Sequence, residues 1–136
     1  MANAPGFRPK MRPGMGELPF EYLLLTDAEG ATLGEGLVLT SGRLTKAGPT
    51  VKPQFVSVRT QTAETTTVTP LPVWRVDALQ EWTTQSTATV AATLKGAKVT
   101  LHTDGMKVTA TTASGVFEID DTDGATTTSN VSGRFV

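Results

Sequence analysis

The sequence predicts an all-β protein, a small β-barrel or sandwich, with an extended N-terminal arm and a body open to construction from two similar half-units. Three observations predict it. Thr occurs 25 times among 136 residues, and a β-branched side chain suits a pleated, half-buried surface better than a helix. Thirteen Gly and eight Pro cut the chain into short runs, the pattern of many strands joined by turns. And "ATLGEGLVLTSGRLTKA" at 31–47 is nearly repeated as "ATLKGAKVTLHTDGMKVTA" at 92–110.

The elements follow in chain order. Residues 1–19, "MANAPGFRPKMRPGMGELP", hold prolines 5, 9, 13 and 19, the cations Arg8, Lys10 and Arg12, and no acid before Glu17. Regularly spaced Pro blocks helix and removes sheet donors, so this segment is expected as an extended basic arm lying on a partner. Residues 20–136 are the expected β domain. Phe20 to Thr26 reads as a strand ending at the turn "DAEG". Leu37–Thr40 and Leu44–Ala47 flank "TSG" as a hairpin. Pro53–Thr60 alternates at strand period. Thr65–Asp77 reads as a strand interrupted by Pro70 and Pro72, hence at an edge or a bulge. The connector Ala78–Leu94 is expected to hold at least one strand rather than the short helical turn that Asp77 could cap through Trp82.

The second copy keeps the same order. "AKVTLHTDGMKVTATT" predicts a hairpin turning at "TDG", "GVFEIDD" answers "QFVSVRT", and the last strand carries Arg134 where the first copy carries Arg75. The repeat units are drawn at about 31–76 and 92–136. Two half-barrels that close each other's edges would remove an aggregation hazard.

Function classes are narrowed by what is scarce. The net charge is −1 and Cys is absent, so there is no global basic field for nucleic acid and no thiolate metal site or disulfide. No apolar run has signal-peptide or membrane-span length, and the expectation is a soluble protein made in a cytoplasm, with no membrane or nucleic-acid partner. The one His, His102, sits beside a predicted turn with no serine elbow to serve. "GEG" at 34–36 lacks the third glycine of a dinucleotide loop. Asp120, Asp121 and Asp123 precede a Gly but do not make a calcium loop, and read as a solvated acidic turn. Trp74 and Trp82 read as core or interface anchors. Neither an enzymatic centre, a metal site nor a cofactor is expected.

From Gly34 onward, "GEGLVLTSGRLTKAGPTVKPQFVSV", "TPLPVWRV" and "KGAKVTLHTDGMKVTATTASGVFEIDD" resemble the small capsid decoration (cement) proteins of tailed bacteriophages. The shared pattern is G-x-x-L-x-L-x-x-G-x-L-T-K-A, then K-P-x-x-V-S, then G-x-x-V-T-L-H-T-D-G-x-x-V-T-A-T. It covers about three quarters of the chain and leaves out the arm. These motifs mark turns and strands rather than a chemical site, and "TPLPVWRVDALQEW" departs from the pattern. The resemblance implies a virion structural protein on the outer capsid surface, a homotrimer bridging neighbouring copies of the major capsid protein. In that role Phe7, Met11 and Met15 would fill apolar pockets of the coat, while Arg8, Lys10 and Arg12 would meet its carboxylates. Deleting residues 1–16 would then leave a folded body that no longer holds the capsid. Other readings are a tail-tube or baseplate β-domain, and a small surface- or carbohydrate-binding module, which would need a patch of exposed aromatics.

Overall fold

In the computed structural model, which describes residues 5–11, 14 and 16–136, the chain forms two five-stranded antiparallel sheets in a sandwich-like arrangement. The strands are β1 (Arg8–Pro9), β2 (Glu21–Leu23), β3 (Gly36–Thr40), β4 (Arg43–Lys46), β5 (Phe55–Ser57), β6 (Leu71–Arg75), β7 (Trp82–Gln85), β8 (Lys98–Val99), β9 (Phe117–Thr122) and β10 (Asn130–Phe135). One 3₁₀ turn at Ala92–Leu94 is the sole helical element among the described residues. The all-β class is as the composition predicts, and neither sheet closes into a full barrel.

The first sheet runs β2-β6-β5-β3-β4. Its hairpin pairs Leu37 with Lys46, Leu39 with Leu44 and Thr40 with Arg43. Ser41 (φ 52°) and Gly42 (φ 78°) both take positive φ, the two-residue turn whose twist matches that of the strands it joins. The strands expected at 20–26, 53–60 and 65–77 form only over Glu21–Leu23, Phe55–Ser57 and Leu71–Arg75. β6 is flanked by β2 and β5, which corrects the expectation of an edge or bulged strand. Pro72 is tolerated there because its carbonyl accepts from Val58 N–H at 3.0 Å. Its missing donor faces the same way, past the end of β5 at Ser57.

The second sheet runs β1-β7-β10-β9-β8, and its β7–β10 part is wired like the first. β7 pairs with β10 as β2 pairs with β6. Leu101 pairs with Val108 as Leu39 pairs with Leu44. In each sheet one parallel bridge reaches from the first strand to the second arm of the hairpin, Leu25 to Leu44 and Ser86 to Val108. The loops agree bond for bond. Gly34 N–H donates to Ser57 O and Gly96 N–H to Ile119 O; Ser57 N–H donates to Glu35 O and Ile119 N–H to Ala97 O; Gln54 N–H donates to Leu37 O and Val116 N–H to Val99 O. Gly34 and Gly96 share a φ of 85°. The matching stretches begin at β2 and at β7, so units drawn from 31 and from 92 omit the first strand of each.

This register also corrects the match of Arg134 with Arg75. Phe55 pairs with Arg75, and its counterpart Phe117 pairs with Phe135. Arg134 therefore answers Trp74, on the opposite face, because a one-residue slip reverses every side chain of a strand.

The two halves pack unequally. Leu25, Leu37, Leu44, Phe55, Leu71 and Val73 fill the first sheet's own core. Val56 and Trp74 face the other way and join the second core, around Trp82, Phe117 and Phe135. Trp74 is half-buried, with its ring 6.1 Å from Trp82 and 6.3 Å from Phe20. Where the second half has Trp82 and Phe135, the first has Glu21 and Arg75, joined by two bonds of 2.6 and 2.7 Å, with the guanidinium 4.9 Å above the Phe55 ring. One end of the first half thus presents an ion pair to solvent, while the matching end of the second is apolar and covered.

At the seam Gly36 N–H donates to Gly105 O at 2.8 Å, and beside it Glu35 is only 5% exposed. Burial raises its pKa above the ordinary 4.5, with Lys46 opposing. A carboxyl whose folded pKa is raised weakens the fold at high pH. That penalty fades as pH falls through the folded pKa toward the unfolded one. Stability of the native protein relative to Glu35→Gln is therefore expected to rise on acidification toward pH 4.5, as read by urea midpoints of both proteins across pH. A pH-independent difference contradicts it.

Candidate partner-binding surface

The segment expected as a free arm is built into the fold from Gly6 to Lys10. Gly6 N–H donates to Met106 O, Phe7 N–H to Gly34 O and Lys10 N–H to Glu81 O, at 2.8–2.9 Å. Arg8 pairs with Thr83 and Pro9 with Trp82, adding β1 to the edge of β7. Proline sits there without loss because an edge strand has one unpaired side. The crossing over the first half needs two glycines. Gly6 and Gly34 lie back to back with positive φ of 99° and 85°, and a Cβ on Gly34 would come 2.6 Å from the Gly6 Cα.

Phe7 is 0% exposed, its ring 4.8 Å from Phe135 and 5.5 Å from Phe117. Its expected role as an anchor in a partner's pocket is therefore corrected: its pocket is in its own chain. The physical reason is that the second sheet's apolar end needs a cover, and a single strand carrying one aromatic supplies it. The arm is likewise not a separate unit at 1–19, since part of it is sheet. Lys10 lies 3.5 Å from Glu81 of its own chain. Arg12 and Met15 lie outside the described residues.

Arg8 and Met11 remain at the surface. They line a groove of about 360 Å³ together with Pro9, Glu17, Leu18, Phe20 and Trp74. Its apolar members are set by two elements: Phe20 leads into β2, and Trp74 reaches it from β6. Met11 is 50% and Phe20 48% exposed. Arg8 is half-buried, its Nη1 3.4 Å from the Phe7 carbonyl, with no carboxylate at ion-pair distance among the described residues. Desolvation holds its pKa below the usual guanidinium value. Sequence reasoning named Arg8 and Met11 but missed Phe20 and Leu18, whose place at the groove has no signature in an apolar run.

Asp120 and Asp121 lie in β9 rather than in a turn, and the three carboxylates are engaged internally. Asp123 accepts from the Ala125 and Asn130 N–H groups and from the Asn130 side chain. Asp121 pairs with Lys95 at 3.1 Å and Asp120 with Arg134 at 3.4 Å. These bonds hold the Asp123 and Asp121 carboxyls below the ordinary carboxylate range. His102 lies at the turn between Leu101 and Val108, its main-chain carbonyl accepting from Gly105 N–H and its main-chain N–H donating to Lys107 O. No group of three or more metal-ligating side chains occurs among the described residues. Comparison with protein-family models, with curated proteins and with solved structures gives no match.

Proposed function

We propose that this protein is a non-catalytic virion component that binds the outer surface of a capsid and cements neighbouring coat subunits, many copies acting together. The observation that carries this reading is the apolar groove at Met11, Leu18, Phe20 and Trp74, of which Met11 and Phe20 are exposed. Concentrated apolar exposure on a small domain marks a surface that other proteins cover. The resemblance of the hairpins and strands to decoration proteins supplies the partner, the major capsid protein, and the trimer as the assembling unit. A lattice of identical sites makes modest single contacts sufficient, because bound copies that bridge subunits engage two sites at once.

Purified protein mixed with capsids lacking it should pellet with them saturably, at many copies per particle. Protein that stays in the supernatant at every capsid concentration overturns the reading.

A second reading has one observation in its favour. Phe20 and Tyr22 lie on one face of the strand (i, i+2), 48% and 64% exposed, with Trp74 beside Phe20. That is the aromatic patch a carbohydrate-binding module requires. Retention on a glycan array that is lost in Phe20→Ala would put this reading first.

A further inference from the structure

The likeness of the two halves exposes one difference at their edges. In the second half the outer edge of β7 is occupied: β1 pairs with Thr83 and Trp82, and Lys10 N–H bonds to Glu81 O. The matching edge of the first half is β2, where Tyr22 answers Thr83 and Phe20 answers Glu81. No strand lies on that edge at Glu21–Leu23 among the described residues.

The main-chain groups of Tyr22 point outward. Tyr22 stands opposite Pro72, which has no N–H and whose carbonyl accepts from Val58 on the far side. β6 therefore offers Tyr22 no partner, and its N–H and C=O face the open edge. Further along, Leu24 O and Thr26 N–H on the same edge are taken up by Leu44. The hairpin turns away at Ser41 and Gly42, leaving about the length that β1 fills on the other half.

We propose that the edge of β2 at Phe20–Leu23 accepts an extended segment of a partner protein, paired antiparallel as β1 is to β7, with an apolar side chain in the adjoining groove and a carboxylate on Arg8. The choice of an acidic segment rests on charge. Arg8 and Glu17 both line the groove, but Glu17 is exposed and hydrated, whereas Arg8 is half-buried without an ion partner among the described residues. A half-desolvated cation gains more from a new partner than a solvated anion does. Strand addition supplies affinity from the main chain and selectivity from alternate side chains. This site does not depend on the capsid reading, since any partner presenting such a segment would use it.

The test uses two capped peptides, Val-Glu-Val-Glu-Val-Glu and Val-Lys-Val-Lys-Val-Lys, titrated into the whole protein and followed by amide and indole NMR. The acidic peptide should shift the Tyr22 amide and the Trp74 indole in a saturable way. The lysine peptide should bind at least tenfold more weakly. Tyr22→Pro, which removes the outward N–H, and Arg8→Ala should each weaken the acidic peptide at least tenfold while the spectrum stays that of a folded protein. Tyr22→Phe keeps the main chain and should bind normally, separating edge pairing from side-chain contact. Equal binding of both peptides, shifts confined to other strands, or unchanged binding in a folded Tyr22→Pro protein overturns the proposal. If the acidic peptide binds and capsids do not, the edge stands and the capsid reading falls.

Discussion

Phe7→Ala is expected to lower the unfolding free energy by about 3–5 kcal/mol, the usual loss when a buried Phe is truncated. The ring is fully buried between Phe117 and Phe135, at the end of the second sheet where Trp82 and Val56 also converge. Truncation leaves a cavity walled by rings that pack edge to face, and these cannot collapse without giving up that geometry. Phe7→Leu, closer in volume, should lose less than Phe7→Ala. Urea unfolding of the three proteins measures it. For the same reason, deleting residues 1–16 removes a core side chain and a strand, and an unaltered body is no longer the expectation. An unchanged midpoint in Phe7→Ala would place the segment outside the fold and restore the free arm.

Gly133→Ala is the second large effect, expected at about 3 kcal/mol, the upper part of the range for overpacking. β10 is irregular between Ser132 and Gly133 where it runs beside β9. There the chains come so close that a Cβ on Gly133 would run into the Glu118 carbonyl and lie 2.8 Å from the Phe117 ring. A ring edge can shift a little, but a paired backbone carbonyl cannot, so the strands themselves must part. The matching position in the first half is Val73, which is buried without such a conflict. The likeness of the halves thus stops at this glycine. Loss of stability in Gly133→Ala, read by thermal unfolding, is the expected result. A tolerated Gly133→Ala would mean that β9 and β10 do not approach as described.

The fold class and the first hairpin were legible because their signals are local, whereas the second predicted hairpin is reduced to a single bridge between Leu101 and Val108. Alternating apolar residues around Ser41-Gly42 set both strands and turn within one short stretch. The repeated order of elements was legible for the same reason. Register between distant strands was not. Arg134 and Arg75 look equivalent in sequence, yet they sit on opposite faces, because pairing across the sheet fixes the phase of a strand and a gapped alignment does not. Phe7 was read as a partner's contact because a lone aromatic among prolines has no periodicity. Its pocket is made by Phe117 and Phe135, more than a hundred residues further on. Arg8 and Met11 were named from charge and composition as contacts of an arm, whereas the groove they line requires Trp74 and Phe20 to be brought together by β6 and β2.

The fold leaves the protein with one end of its first half presented as an ion pair and one edge open beside an apolar groove. The capsid reading takes the groove beside that edge as the meeting place with a larger assembly. The most direct test is a density gradient of lysate from the native source, with mass spectrometry of each fraction. The account predicts this chain in megadalton particles, in amounts comparable to the coat protein. Recovery only at the top of the gradient, among small unassembled proteins, would contradict it.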